Sequence, residues 1–197
     1  MNQPDALPHA PGPTWRSDRP EPVVLDDGRR VVIEPVTPAA RALIERGIDR
    51  VSPESSRRRF LTVRRRFSDA ELDAMTRLDG WTRYALGAVA TGPNGVEGAG
   101  IARFARLPGD ATAAEMALLV VDHWQGAGLG RRLLGRIARA ALERGVERLT
   151  GIVLPENDPM LALLRRHAPG LALVRTGDVL TVEVRLDPRR IDAALAV

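Results

Sequence analysis

The chain has 197 residues, 44% of them hydrophobic, which fits about one domain with a buried core. It contains no cysteine, so a disulfide framework, a thiolate zinc site and an acyl-cysteine intermediate are excluded. The formal net charge is +4, all 29 basic residues are arginine, and the three histidines are too scattered to predict a metal site.

The N-terminal 20 residues contain five prolines, and we expect residues 1–20 to form a disordered leader. This segment lacks the apolar core of a secretory signal. No apolar run in the chain approaches the ~20 residues of a membrane span. The sequence therefore predicts a cytoplasmic protein with no membrane partner. We expect one folded domain over residues 21–187 and a C-terminal tail over residues 188–197.

The first elements of the domain carry clear turn and cap signals. Residues 23–33 predict a hairpin with Asp27-Gly28 in its turn. A helix is expected from Pro38 to about Ile48. Ser52 before Pro53 and the pattern Ser68-x-x-Glu71 predict the N-termini of two further helices.

The remaining elements alternate between strands and helices. Two strands, 84–90 and 98–106, are predicted to be joined by a turn at 92–95. The later predicted elements are strand 115–121, helix 129–144, strand 149–154, helix 157–166, and strands 171–175 and 179–186. This order predicts a mixed sheet with helices on both faces and no second domain.

A glycine-rich turn, Gln125–Gly130, lies between a predicted strand and a predicted helix. Such a turn exposes N–H groups at the positive end of the helix, which makes an anion site and predicts a ligand with phosphate. Its alternating glycines let the backbone approach the phosphate closely. The chain has no lysine for a Walker loop. The sixth position from Gly126 is Arg131, so the Rossmann fingerprint is excluded as well.

The pattern Gln-x-x-Gly-x-Gly resembles the acetyl-CoA pyrophosphate loop of the GNAT superfamily of N-acetyltransferases. The segment Ala114–Gln125 is similar to the family's fourth strand running into this loop. The segment Asn157–Leu164 is similar to its second cofactor motif. Upstream, Ser52–Phe60 and Ser68–Leu72 resemble the branch that holds bacterial protein-lysine acetyltransferases. The resemblance spans about residues 30–186.

This resemblance implies an α/β (α+β) fold with a mixed, mostly antiparallel central sheet. It implies an enzyme, an N-acetyltransferase, that moves acetyl from acetyl-CoA to an amine by direct transfer in a ternary complex, without a metal. The cofactor-binding residues it implies are Leu119, Val120, Val121, Gln125, Gly126, Ala127, Gly128, Leu129, Gly130, Arg131 and Asn157. For Asn157, a plain helix N-cap is an equally good explanation.

Acetyl transfer requires a deprotonated amine, which for a lysine at pH 7 costs roughly 4–5 kcal/mol. A carboxylate can accept that proton. Glu115 is the candidate base, because it is an acid on an apolar strand and matches the family position. The alternative is that Glu115 only caps the end of the strand, exposed to solvent, and has no catalytic role. A backbone N–H of Val120 or Val121 is the candidate oxyanion donor. Many relatives use a tyrosine as acid, but Tyr84, the only tyrosine, lies in an earlier strand.

Two questions stay open at this point, the acceptor and whether the domain is catalytic. The acceptor is a protein lysine, which predicts an open or acidic groove, or a small amine, which predicts a closed pocket. The missing tyrosine is also consistent with a second function, that of a regulatory domain that binds acetyl-CoA or CoA without catalysing transfer. For His167, a surface position is favoured over the site. The arginine triplets 57–59 and 64–66 lack interleaved aromatics, so no nucleic-acid partner is predicted.

Overall fold

The computed structural model describes residues 15–92 and 95–189. Within them, eight strands form one sheet in the order β1-β2-β3-β4-β5-β6-β8-β7. Their bounds are β1 Glu21–Val24, β2 Arg30–Pro35, β3 Arg83–Gly92, β4 Gly95–Leu107, β5 Asp110–Val120, β6 Arg148–Val153, β7 Leu171–Thr176 and β8 Val179–Arg185. Only the pair β5–β6 is parallel, so the predicted mixed, mostly antiparallel sheet is confirmed.

Five α-helices accompany the sheet in the described residues. They are α1 Arg41–Ile48, α2 Pro53–Phe60, α3 Asp69–Thr76, α4 Leu129–Glu143 and α5 Asp158–His167. The predicted caps are present: the Ser52 hydroxyl accepts from the N–H of Ser55, and Ser68 forms a capping box with Glu71. A short 3-10 turn, Pro38–Ala40, precedes α1, so that helix begins slightly later than expected.

Helices cover both faces of the sheet. The amphipathic helix α4 packs against β3, β4 and β5, whereas α1 packs against β4 and α2 against β5. Met116 lines a small cavity with α4 side chains, and its neighbour Glu115 lies on the opposite face with α2. The close approach of α4 depends on Gly100. A Cβ there would lie 2.9 Å from the Leu119 carbonyl oxygen and 3.0 Å from the Leu133 side chain.

The strands β5 and β6 pair over only three residues. Ala113, Ala114 and Glu115 pair with residues 148–150, and beyond this point the pairing ends. The next residues of β6 continue to pair with β8, and the next residues of β5 continue to pair with β4. The sheet therefore splits along its parallel seam and leaves a cleft between the two strands.

The ordered domain begins before the expected boundary at residue 21. Trp15 stacks on Trp81 with ring centroids 5.9 Å apart, and the Tyr84 hydroxyl donates to the Ser17 carbonyl over 3.0 Å. The fully buried guanidinium of Arg144 pairs with Asp18 at 2.6 Å. These contacts hold residues 15–18 against the C-terminal end of α4, so that part of the predicted leader belongs to the folded domain.

Several predictions fall on residues outside the described ranges. These are the leader over residues 1–14, the central turn residues Pro93 and Asn94, and the tail from residue 190 onward. Among the described residues, no helix combines the length and the hydropathy that a membrane crossing requires.

Candidate active site

A cleft of about 860 Å³ occupies the split between β5 and β6. Its walls come from the end of β5, the glycine-rich loop, the end of α2, the end of β6 and the inner side of α5. It is open along its length, and one end lies at the loop while the other lies at Glu115. This cleft carries most of the predicted site residues.

Two of the three glycines in the glycine-rich loop have a backbone conformation that favours glycine. Gly126 and Gly128 have φ angles of 76° and 83°, in the left-handed region that favours glycine. Gly128 is the N-cap of α4 and supplies no side chain to the first N–H groups of the helix. These N–H groups, with the helix dipole, form an anion site at the end of the cleft.

The loop residues divide between the cleft and the core. The residues that line the cleft are Gln125, Gly126, Gly128, Gly130 and Arg131. The side chains of Ala127 and Leu129 are buried in the core instead. These two predicted site residues can therefore contact a ligand only through their main chain.

An acidic side chain that sequence analysis did not select also reaches the loop. Asp26, in the turn between β1 and β2, pairs with Arg131 at 2.5 Å. A Cβ on Gly128 would lie 2.5 Å from the Asp26 carboxylate, which therefore lies against the N-terminus of α4. The N–H of Asp26 also donates to the Ala127 carbonyl over 3.1 Å. The hairpin turn was predicted, but no local signal placed it beside a loop a hundred residues away.

At the end of β5, every second residue turns its backbone N–H and C=O groups toward the cleft. The Val120 carbonyl accepts from the Gln125 side chain over 3.0 Å, so it points away from β4. The Val121 N–H donates to the Ala99 carbonyl over 3.0 Å. Because N–H and C=O directions alternate along a strand, Leu118 and Val120 present their main chain to the cleft, while Leu119 faces β4.

This geometry corrects part of the expectation for the three predicted strand residues. Val121 is buried, and its N–H is already bonded to Ala99, so it is not an oxyanion donor. Leu119 lines the cleft with its side chain alone. Val120 is the remaining donor of the predicted pair. Leu118 was not predicted as a site residue, but it lines the cleft as well. It lies two residues before Val120, and main-chain directions repeat every two residues along a strand.

A hydrogen-bonded network fixes α2 to the loop. The Asp122 carboxylate accepts from the Ser52 N–H at 2.9 Å and hydroxyl at 2.7 Å, and from the Ser55 hydroxyl at 2.9 Å. The Gln125 side chain donates to the Ser55 hydroxyl over 3.2 Å. Burial alone would raise the pKa of Asp122, but the bonds from Ser52 and Ser55 hold it below its usual value. The network sets one wall of the cleft.

At the other end of the cleft, Glu115 is exposed and faces α2. Arg59 of α2 lines the same space and is half-buried, with its guanidinium over the Phe60 ring at 4.8 Å. Burial lowers the pKa of Arg59 to about 10, helped by the nearby charge of Arg103 and opposed by Glu115. The Glu115 carboxylate is open to solvent, so an incoming amine can reach it and transfer a proton to it directly or through a water.

The helix α5 supplies the far wall. Asn157 is buried, lines the cleft and caps α5, since its Oδ1 accepts from the Met160 N–H over 3.3 Å. The capping explanation is therefore correct, and it leaves the Nδ2 end of the side chain for a ligand. His167 also lines the cleft, contrary to the surface position that was favoured. Partial burial, then Arg166 and Arg131, lower its pKa.

Two other candidate groups lie away from the cleft. Tyr84 is buried, donates to Ser17 and lies under the Arg144 guanidinium at 3.8 Å; burial raises the pKa of its hydroxyl. It is therefore not placed to act as the general acid. His123 is exposed, with its Nε2 3.7 Å from Glu97, and does not line the cleft.

The arginine triplets do not form a continuous basic face. Arg57 pairs with Glu156 at 2.7 Å, which connects α2 to the segment before α5 across the cleft. Arg58 pairs with Glu54 at 2.5 Å, and Arg64 pairs with Glu71. Half of the six charges are thus balanced within the fold.

Comparisons with known proteins point to one family. The model of the acetyltransferase (GNAT) family matches residues 63–168. Acetyltransferase Pat of Mycolicibacterium smegmatis is 34% identical over 149 residues, which make up 75% of this chain and 43% of that protein. The crystal structure of the GNAT domain of S. lividans PAT has a TM-score of 0.77 and 30% identity, covering 85% of this chain and 97% of that chain.

A more distant structure shares the fold alone. It is an acetyltransferase structure from Salmonella typhimurium with its cofactor acetyl-CoA, 20% identical, with a TM-score of 0.63 over 80% of this chain and 95% of that chain.

Because the family model covers more than half of the residues, the chain belongs to the acetyltransferase (GNAT) family. The similarity to proteins named Pat agrees with the branch that residues 52–72 indicated. The chain spans less than half the length of the Mycolicibacterium relative.

Proposed function

We propose that this domain transfers the acetyl group of acetyl-CoA to the side-chain amine of a protein lysine, directly and within a ternary complex. The observation that carries the proposal is the cleft itself, which joins an anion site at the N-terminus of α4 to an exposed carboxylate at Glu115. Acetyl-CoA supplies an acetyl thioester at one end of its chain and a pyrophosphate at the other.

The residues present fit that molecule. The left-handed glycines and the first N–H groups of α4 suit the pyrophosphate. The edge of β5, with the main chain of Leu118 and Val120 turned outward, suits the amide groups of a pantetheine arm. The Val120 N–H is then the donor nearest to the acyl oxygen, where it would stabilise developing negative charge.

In this proposal Glu115 takes the proton of the incoming amine, directly or through a water. The amine nitrogen then forms the new bond to the acyl carbon, the carbon–sulfur bond breaks, and CoA leaves as a thiolate that takes up the proton lost by the new amide nitrogen. The chain has no cysteine to carry the acetyl group. Direct transfer therefore predicts initial-rate lines that intersect when both substrates are varied, rather than the parallel lines of a covalent intermediate.

A protein acceptor is favoured by the shape of the catalytic end. Glu115 is exposed, so an amine can reach it from solvent on the end of a long side chain. Leu61, held at φ 61°, lines the cleft, and Val63 follows it two residues later in the chain; their exposed fractions are 45% and 46%. Exposed apolar side chains next to a site are typical of a surface that contacts another protein.

The test is acetyl transfer to a lysine peptide, measured by mass spectrometry and by release of CoA thiol. Glu115→Gln should keep acetyl-CoA binding while kcat falls by about 10²–10⁴-fold. Glu45→Gln, an exposed acid on α1 outside the cleft, should behave like the native chain. Full turnover in Glu115→Gln would show that Glu115 is not the general base. Binding of acetyl-CoA with no transfer to any amine would favour the regulatory domain.

A further inference from the structure

The catalytic end of the cleft carries more positive charge than the proposed chemistry needs. Arg59 and Arg103 interact electrostatically with each other and with Glu115. Arg103 and Glu115 lie on the same face of neighbouring strands, because Arg103 is opposite Ala117 and Ala105 is opposite Glu115. Two cations therefore surround one carboxylate at the entrance for the acceptor.

These charges are not balanced by the fold. In the described part of the chain, neither Arg59 nor Arg103 has an ion pair within 4.0 Å. Arg57 and Arg58 differ in this respect, since each pairs with a glutamate. The Arg59 guanidinium carbon instead lies 4.8 Å from the centre of the Phe60 ring, and the residue lines the cleft. A half-buried guanidinium that is aimed into a cleft and lacks a carboxylate is a recognition group for an anion.

The anion in question is not the phosphate of the cofactor. The phosphate site lies at the N-terminus of α4, whereas Arg59 lies at the Glu115 end of the same cleft. At that end Arg59 and Arg103 contribute two positive charges against the single carboxylate of Glu115. The groove at the acceptor end is thus basic, not acidic as a lysine acceptor alone would suggest.

Resting on the proposed function, we propose that the acceptor carries a carboxylate next to the amine that is acetylated, and that Arg59 is the residue that selects it. In a protein, this carboxylate is an aspartate or glutamate side chain beside the target lysine. While Arg59 holds the carboxylate, the amine is directed to Glu115. The same interaction offsets the repulsion between the lysine ammonium and the two arginines before the proton is lost.

The test compares two peptides that differ only in whether glutamate or glutamine stands on either side of a single lysine. The native domain should acetylate the glutamate peptide with a kcat/KM roughly tenfold higher, the ratio that about 1.4 kcal/mol of differential binding produces. Arg59→Gln should bring the ratio close to one, and Arg59→Glu should invert it. Arg77→Gln, an exposed arginine on the far side of α3, should keep the native ratio. Because each ratio is taken on one preparation, partial unfolding of a variant does not change it.

Further arms separate the alternatives. A free amino acid accepted in preference to its amide, without discrimination between the peptides, would place the carboxylate on a small molecule and overturn the protein part of the proposal. Acetylation of both peptides at equal rates, together with equal rates for the amino acid and its amide, would overturn the role of Arg59 while leaving acetyl transfer intact. If no amine is acetylated, the proposed function fails. The recognition by Arg59 can then still be tested by peptide binding. The glutamate peptide should bind in the presence of CoA, and Arg59→Gln should lose this binding.

Discussion

Asp26 and Arg131 form an ion pair of 2.5 Å directly at the N-terminus of α4, where the phosphate groups of the cofactor are expected. The Asp26 carboxylate therefore lies where a ligand phosphate would be favoured by the same N–H groups and helix dipole. When a phosphate ligand binds, Arg131 must either leave the Asp26 carboxylate for the ligand or contact both. We therefore expect the β1–β2 turn to be part of the cofactor site.

We expect Asp26→Asn to tighten acetyl-CoA binding several-fold, equivalent to about 1 kcal/mol. The substitution removes a negative charge next to the phosphates and releases the Arg131 guanidinium. Calorimetric titration measures the effect. Asp27→Asn is the matched control, because this neighbouring acid pairs with Arg29 at 2.6 Å and does not line the cleft. Weaker binding in Asp26→Asn would instead make Asp26 a residue that positions Arg131 for the ligand.

Gly128→Ala should abolish acetyl-CoA binding and lower stability. The residue has φ 83°, which costs an L side chain about 1–2 kcal/mol, and the new Cβ would meet the Asp26 carboxylate at 2.5 Å. Gly145→Ala provides the control for backbone strain alone, with φ 76° and open space around it. Both variants should unfold at lower denaturant concentration, and only Gly128→Ala should lose the ligand. Undiminished binding in Gly128→Ala would show that the loop conformation is not needed.

Asp122→Asn should destabilise the domain by about 1–2 kcal/mol at neutral pH, since the network to Ser52 and Ser55 loses a charged acceptor. The pKa of Asp122 is held below its ordinary value of 3.8 in the folded chain. Its contribution is therefore present above that value and is lost as the pH falls through the lower, folded pKa. Denaturant unfolding from pH 7 downward should show the native and variant curves converging in acid. A constant difference over that range would argue against a role for the charge.

Arg144→Met should cost about 3–5 kcal/mol, because it leaves the partners of a fully buried guanidinium without a cation. Those partners are Asp18, the Ser17 hydroxyl and the Gly80 carbonyl. Urea unfolding measures the loss, and Arg77→Met, at an exposed position, should change stability by less than about 0.5 kcal/mol. A small loss in Arg144→Met would mean that residues 15–18 contribute little to the fold.

The sequence predicted the elements and their order because each carries a local signal. The capping box at Ser68, the Asp-Gly turn near Gly28 and the helical stripe of α4 all appear where they were expected. The loop could be located from the same kind of signal, because its alternating glycines lie between a strand and a helix; two of them, Gly126 and Gly128, adopt the left-handed conformation. The resemblance then supplied the identity of the ligand.

What the sequence could not provide are contacts between distant segments. Nothing near Asp26 indicates that its carboxylate meets Arg131, and nothing near Trp15 indicates that it stacks on Trp81. The assignment of Val121 failed for a related reason. Which strand residues turn their main chain to the cleft depends on the pairing register with β4, and a register is not visible in one strand.

The seam at which β5 leaves β6 gives this sheet an edge in its interior. An unpaired strand edge normally invites another strand, from the same chain or from another copy. Here the Gln125 side chain already donates to the Val120 carbonyl, so part of the edge is satisfied from within the chain. The Leu118 main chain and the Val120 N–H are left facing the cleft, so a ligand with amide groups can complete the sheet where the β5–β6 pairing ends.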